Sequence, residues 1–132
     1  MTMFYGHAFL MGAGFLLLAA GVSVAKFQRR RRWWLKAHRI AGSMVTVCLA
    51  AGLTAAVAMI SQSGGGHFRV PHAWLGITAI LAGMTAPVIG VLQFRFRDKI
   101  LLLRSWHRRT GYTALLLTLL TLLSGLAVAG VI

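Results

Sequence analysis

The chain has 132 residues, of which 58% are hydrophobic and 15 are glycine, and it has one acidic residue against 14 lysines and arginines. This composition excludes a soluble globular domain and is typical of a protein embedded in a membrane. A net charge of +13 raises the alternative of a nucleic-acid partner. We predict no such partner, because 13 of the 14 cations lie in two short stretches, which membrane topology and contact with anionic lipid explain.

Four stretches of at least 23 residues contain no Lys, Arg, Asp or Glu. Each is longer than the roughly 20 residues that an α-helix needs to cross the hydrocarbon core. The predicted fold class is therefore all-α, an integral membrane four-helix bundle. We expect residues 1–132 to form a single transmembrane domain, with helices at about 4–25, 34–60, 71–94 and 104–130.

The first predicted helix carries His7 close to its start. No basic region precedes this apolar run, so we interpret it as a membrane helix and not as a removed signal peptide. A cationic loop, Lys26 to Lys36, leads to the second helix, where the pair Trp33-Trp34 is typical of an interfacial aromatic belt. His38 follows about one turn inside the membrane boundary.

The second half of the chain repeats this order. A glycine-rich loop ends at Pro71, a residue suited to the first turn of a helix because its missing N–H has no partner there. His72 follows, near the start of the third helix. Arg95 to Ser105 is the second cationic stretch and contains the only acid, Asp98. The fourth helix carries His107 near its start.

The placement of the cations predicts the topology. Seven lie between Lys26 and Arg39, six lie between Arg95 and Arg109, and Arg69 is the remaining one. Both clusters follow an odd-numbered helix, so they lie on one side, which the positive-inside rule assigns to the cytoplasm. We predict that both termini lie outside, in a plasma membrane or a bacterial inner membrane.

The chain also contains an internal repeat. Residues 6–10 match residues 71–75 at an offset of 65, and His38 matches His107 at an offset of 69. Each half of the chain begins outside, crosses the membrane and crosses back. The halves are therefore predicted to be two parallel helical hairpins related by an axis along the membrane normal.

Ionisable residues inside a membrane are rare, and here every candidate is a histidine. Topology sorts them into an outer pair, His7 and His72, and an inner pair, His38 and His107. In a bundle packed in sequence order, the first helix lies diagonally opposite the third, and the second lies opposite the fourth. Each pair is thus predicted to be the two axial ligands of one b-type haem iron, giving two haems b. The chain has no C-x-x-C-H motif, so such haems are held without thioether bonds.

Glycines follow three of these histidines at four residues, on the same helix face, and others continue each face into the opposite half of the bundle. A flat macrocycle between helices needs such clearance, although glycine is also a common helix-packing residue in membranes. The candidate haem-contacting glycines are Gly14, Gly21, Gly42, Gly52, Gly76, Gly83, Gly90, Gly111 and Gly125. The candidate partners of the inner haem propionates are Lys36, Arg39 and Arg108, for which topology and lipid contact are the alternative.

At these residues the chain resembles the cytochrome b561 superfamily, in particular the four-helix core found with DOMON domains. The resemblance covers almost the whole length. It comprises His-Ala at His7 and at His72, Trp-x-x-x-His at Trp34 to His38, Pro87 with Gly90, and Trp-His-Arg-x-x-Gly at Trp106 to Gly111. It implies two b haems, ligated first-to-third and second-to-fourth helix, that pass single electrons across the membrane. Many members have six helices, whereas four are predicted here.

The resemblance implies either an oxidoreductase of this type or an electron carrier. For such a protein, the resemblance implies ascorbate or a cytochrome as the electron donor, and ferric chelates or monodehydroascorbate as the electron acceptor. More generally, we expect membrane lipid around the chain and a donor and an acceptor on opposite faces, each a small molecule, a quinone or another cytochrome. No catalytic acid, base or nucleophile is needed. The alternatives are a di-haem cytochrome b subunit that oxidises quinol or serves as the anchor in a larger membrane redox complex, and a haem-free small transporter or structural subunit. For the oligomeric state, a homodimer and a subunit of a complex both stay open.

Overall fold

The computed structural model describes residues 2–132. Four long helices account for most of the chain: α1 (Thr2–Phe27), α2 (Trp34–Gln62), α3 (Pro71–Arg95) and α4 (Ile100–Val128). All four are long and apolar enough to cross a membrane. The predicted all-α membrane bundle is therefore confirmed.

The connection between α3 and α4 is shorter than the sequence pattern indicates. It consists of one 3-10 turn, Arg97–Lys99, which contains Asp98. Helix α4 begins at Ile100, about one turn before the predicted start near residue 104. Three leucines follow Ile100, and leucine has a high helix propensity, so the helix extends beyond the purely apolar segment.

The helix ends follow local backbone chemistry. Helix α3 begins with Pro71, preceded by Val70 in an extended conformation. Helices α2 and α4 both end in a Schellman motif, with Gly64 at φ 67° and Gly130 at φ 70°. The backbone N–H groups of Gly65 and Val131 donate to the carbonyls of Ile60 and Leu126. A positive φ is readily adopted by glycine, which explains its presence at these two turns.

The helices pack as two hairpins. Helix α1 packs mainly against α2 and α3 mainly against α4, while the contacts of α2 with α3 and of α1 with α4 are fewer. Within residues 2–132 the backbones of α1 and α3 do not approach each other, nor do those of α2 and α4. These pairs are therefore the diagonals of the bundle. We call the end of the bundle that carries both cationic stretches the inner end, and the opposite end the outer end.

The middle of the bundle is centred on Leu49, which is 1% exposed. It packs with Met11, Val45 and Ile80 in one apolar cluster. Two glycines on neighbouring helices make room for it. A Cβ built on Gly14 would lie 3.5 Å from a Leu49 methyl group, and a Cβ on Gly83 would lie 2.6 Å from the other. Glycine thus allows α1 and α3 to approach the leucine of α2, as is usual for membrane helix interfaces.

We expect Gly83→Ala to destabilise the bundle by about 1–3 kcal/mol, because the added methyl group overpacks a leucine that has little room to move. Thermal unfolding in detergent micelles, followed by circular dichroism, measures the change. Gly12→Ala is the matched control, since a Cβ at Gly12 meets no atom within 4 Å. If the two variants melt at the same temperature, Leu49 does not constrain α3.

Candidate functional site

The four intramembrane histidines form two facing pairs across the diagonals of the bundle. At the outer end the ring centroids of His7 and His72 are 6.2 Å apart, and the rings are inclined at 87°. At the inner end the centroids of His38 and His107 are 5.7 Å apart, at 88°. All four side chains are half-buried. The structure thus brings together the same pairs that topology predicts.

The inner pair has its Nε2 atoms directed at each other. The two Nε2 atoms are 3.4 Å apart, which is less than the centroid separation of 5.7 Å. Both nitrogens therefore lie between the two rings. An imidazole nitrogen binds a metal at about 2 Å, so a metal between two opposed imidazoles needs nitrogens about 4 Å apart. A small outward movement of the rings is sufficient to meet that requirement.

The other ring nitrogen, Nδ1, is held by the neighbouring helix in all four cases. His7 and His38 lie close to the backbone carbonyls of Gly52 and Gly21, each at 2.9 Å. In the second hairpin, His72 and His107 lie 3.1 and 2.8 Å from the carbonyls of Thr121 and Ala86. A carbonyl only accepts, so Nδ1 must carry the proton and donate it. Nε2 is then unprotonated in the neutral ring and is free to bind a metal.

These four hydrogen bonds share one spacing. In every helix, the carbonyl that accepts the bond lies fourteen residues after that helix's own histidine, at Gly21, Gly52, Ala86 and Thr121. Fourteen residues correspond to about 21 Å of helix and return to nearly the same face. Each helix therefore presents a histidine at one end and fixes its neighbour's histidine at the other. The two layers of histidines lie about 21 Å apart along the helix axes.

Two facing histidines can complete the coordination of a metal that already has most of its ligands from a cofactor. Within residues 2–132 no group of three or more His, Cys, Asp and Glu residues is placed to hold a metal ion. Two opposed imidazoles do match the axial positions of haem iron, whose other four ligands are porphyrin nitrogens. Metal-bound histidines usually donate their second N–H to a carbonyl or a carboxylate, and all four histidines here do so. The residues therefore fit a b-type haem.

A cavity of about 450 Å³ surrounds the inner pair. This volume lies within the range of about 300–1,000 Å³ of typical ligand pockets. Its walls include both histidines and are mainly apolar, while cations line its mouth. Five of the candidate glycines line it: Gly21, Gly42, Gly83, Gly90 and Gly111. Gly42 and Gly111, four residues after the inner histidines, have no atom within 4 Å of an added Cβ.

Several glycines make room for protein side chains. A Cβ on Gly125 would lie 2.9 Å from Cε1 of His72, and one on Gly90 would lie 3.0 Å from Cε1 of His107. Gly21 faces His38 at a looser 3.8 Å. Gly52 faces Met11, and Gly76 faces Thr121. Clearance for the imidazole rings is thus a role that the sequence pattern did not indicate, and haem contact by these glycines stays a prediction.

Two cations at the cavity mouth were not expected from the sequence. Arg39 and Arg108 line the cavity as predicted propionate partners would. Lys26 joins them from the last turn of α1, and Arg29 joins them from the loop that follows. Lys36 is exposed and is not among the lining residues. The sequence pattern indicates only the cations near His38 and His107, at the starts of α2 and α4. The end of α1 lies at the same depth in the membrane, and this shared depth could have identified Lys26 and Arg29.

A membrane bundle with opposed, backbone-fixed histidines beside an apolar cavity has the features of the membrane b-type cytochromes. Residues 1–130 match the family model described as Eukaryotic cytochrome b561. The chain therefore belongs to the cytochrome b561 family, whose members carry out transmembrane electron transfer through b-type haem. Comparison with curated proteins gives no significant match, and neither does comparison with solved structures.

We expect Gly90→Ala to lower the haem content of the protein, because its Cβ would displace the ring of His107. Overpacking of this kind costs about 1–3 kcal/mol, which corresponds to a loss of affinity of roughly 5- to 150-fold. The pyridine haemochrome spectrum of the purified protein measures the content. Gly12→Ala, whose Cβ would meet no atom within 4 Å and which does not line the cavity, should retain haem. Equal loss in both variants would contradict the assignment of Gly90 to ring clearance.

Proposed function

We propose that this chain is a transmembrane electron conduit with two bis-histidine b haems. His7 and His72 ligate the outer haem, and His38 and His107 ligate the inner one. The observation that carries the proposal is the set of four Nδ1–carbonyl hydrogen bonds, which leaves the Nε2 of every paired histidine unprotonated and able to bind a metal. Family membership supports b-type haem and argues against the haem-free alternative.

The inner cavity supports the position of the inner haem. It contains both inner histidines and has a mainly apolar wall, as a macrocycle requires. Four cations at its mouth, Lys26, Arg29, Arg39 and Arg108, are available to neutralise two propionates. A guanidinium forms short charge-assisted hydrogen bonds with a carboxylate, which favours the arginines over Lys26. Because the Nε–H of Arg29 already donates to the Ala25 carbonyl, Arg39 and Arg108 are the preferred partners. Gly42 and Gly111 leave space beside the ligands.

When bound, each haem supplies an iron that takes up or gives off one electron. The protein contributes the ligand set, the orientation of the rings and a dry surrounding. The two histidines of each pair would hold the iron, and their rings are fixed by the Nδ1–H bonds to backbone carbonyls, so the protein would rearrange little when the charge changes. Between the histidine layers lie Leu49, Val45 and Ile80, all buried and apolar, which exclude water from the interior. No side chain is required to give or accept a proton.

The layer spacing agrees with transfer across a membrane. The two histidine layers are separated by about 21 Å of helix, while the hydrocarbon core is about 30 Å thick. Each ligand pair is then close to one face, within reach of a partner in water or at the interface. We propose that the donor and acceptor are small molecules, quinones or cytochromes on opposite faces, and that the protein acts either as an oxidoreductase or as a carrier between them.

We further propose an orientation with both termini outside and the cationic stretches in the cytoplasm. The inner end holds 13 of the 14 cations, and an excess of Lys and Arg favours retention on the cytoplasmic side. The membrane is a plasma membrane or a bacterial inner membrane. Anionic lipid headgroups at the cytoplasmic leaflet would accompany the exposed part of this charge.

We expect two haems b per chain in the wild type, and single histidine substitutions should remove one each. His7→Ala and His72→Ala should lose the same haem, while His38→Ala and His107→Ala should lose the other, because the two histidines of each pair would hold one haem together. Reduced-minus-oxidised spectra with haem quantitation measure this. The double variant His7→Ala/His38→Ala should bind none.

His67→Ala is the matched control for these substitutions. This fifth histidine is exposed in the outer loop, where its Nε2 lies 3.5 Å from the Ser61 hydroxyl. It should retain both haems. A colourless wild-type protein, or retention of both haems after loss of any one of the four paired histidines, would refute the proposed function.

The orientation is tested by labelling introduced cysteines with a membrane-impermeant maleimide. In a Cys48→Ser background, Ser63→Cys should be labelled in intact cells, and Arg30→Cys only after the membrane is opened. Both positions are exposed in loops at opposite ends of the bundle. The reverse pattern would place the cationic end outside and overturn the predicted topology.

A further inference from the structure

His72 differs from the other three paired histidines in the surroundings of its Nδ1 atom. In addition to the Thr121 carbonyl at 3.1 Å, the hydroxyl oxygen of Ser124 lies 3.1 Å from this nitrogen. For His7, His38 and His107, one carbonyl is the only Nδ1 partner within residues 2–132. The N–H of His72 is thus shared between two acceptors.

The Ser124 hydroxyl is oriented so that it accepts from His72. Its own hydrogen is donated to the Thr121 carbonyl, at 2.9 Å. The lone pairs of the oxygen are then available to the Nδ1–H of His72. Gly125, the next residue, has no side chain and allows the imidazole to approach α4 closely enough for both contacts. Ser124 is half-buried, which limits competition from water.

The other helices lack this hydroxyl at the matching position. Ser124 lies three residues after the carbonyl that accepts from His72. Three residues after the equivalent carbonyls of Gly21, Gly52 and Ala86 are Val24, Ala55 and Ile89, none of which carries a hydroxyl group. Ala55 is also the counterpart of Ser124 in the internal repeat, at an offset of 69.

We propose that Ser124 is a positioning residue that lowers the reduction potential of the outer redox site through its hydrogen bond with His72. This inference rests on the proposed function. An additional acceptor at Nδ1–H increases the basicity of the imidazole, and a more basic ligand favours ferric over ferrous iron. The inner site has no counterpart of Ser124, so the hydroxyl contributes to a difference between the two potentials.

A spectroscopic redox titration of the purified full-length protein tests the proposal. The outer component is identified as the one missing from His7→Ala. In Ser124→Ala this component should shift to a higher potential, while the inner component stays unchanged. Ser124→Thr, which keeps the hydroxyl, should titrate as the wild type. The reverse change, Ala55→Ser, adds a hydroxyl beside the Nδ1 of His7 and should shift the same component to a lower potential.

The outcomes separate this proposal from the function on which it rests. If the wild type does not titrate as two components, or His7→Ala removes neither, the proposed function fails. If two components are present and both are unaffected in Ser124→Ala, or both shift equally, the role of Ser124 is refuted. If Ser124→Ala loses the outer haem, its potential cannot be compared, and the Ala55→Ser variant provides the test. An outer potential in Ala55→Ser equal to that of the wild type would show that Ser124 has only a structural role.

Discussion

The hydrogen bond from a histidine Nδ1–H to a backbone carbonyl is the interaction on which the rest of the structure depends. The only acid of the chain, Asp98, lies in the turn before α4, so no carboxylate is available inside the bundle. A helical carbonyl already accepts one backbone N–H but keeps a second lone pair. Reaching it requires close contact between helices. The first hairpin provides this with glycine as the acceptor itself, and the second with glycine four residues further on.

The bundle is consequently uneven in its packing. Close contact within each hairpin is needed to fix the rings, and the sparser contacts between hairpins leave room along the seam. The inner cavity opens where residues from all four helices meet. Leu49 is the main bridge across the middle of the seam, set between Gly14 and Gly83. The close packing within each hairpin and the looser interface between the hairpins together allow flat groups to bind between rigid helices.

The fold and the histidine pairs could be predicted from the sequence, because they depend on charge-free length and on depth in the membrane. His38 and His107 share a depth whatever the rotation of their helices. The carbonyl partners could not be predicted, since a backbone atom leaves no mark in the sequence and its availability depends on how each helix is rotated. The same holds for Lys26 and Arg29, and for the placement of Gly90 against His107. The start of α4 at Ile100 does not follow from the charge-free segment, because the leucines after Ile100 extend the helix into the cationic stretch.

The common fourteen-residue spacing has a consequence for how such a chain can evolve. Each helix serves two sites at once, so an insertion of one residue between His7 and Gly21 would rotate one site against the other by about 100° and displace it by about 1.5 Å. A loop cannot compensate for this insertion, because His7 and Gly21 both lie within α1. Apart from glycines such as Gly14 and Gly83 that allow close packing, positions in these segments can change among apolar residues, but the length of each segment is fixed. Gains and losses of residues in the family should therefore concentrate in the loops and at the helix ends.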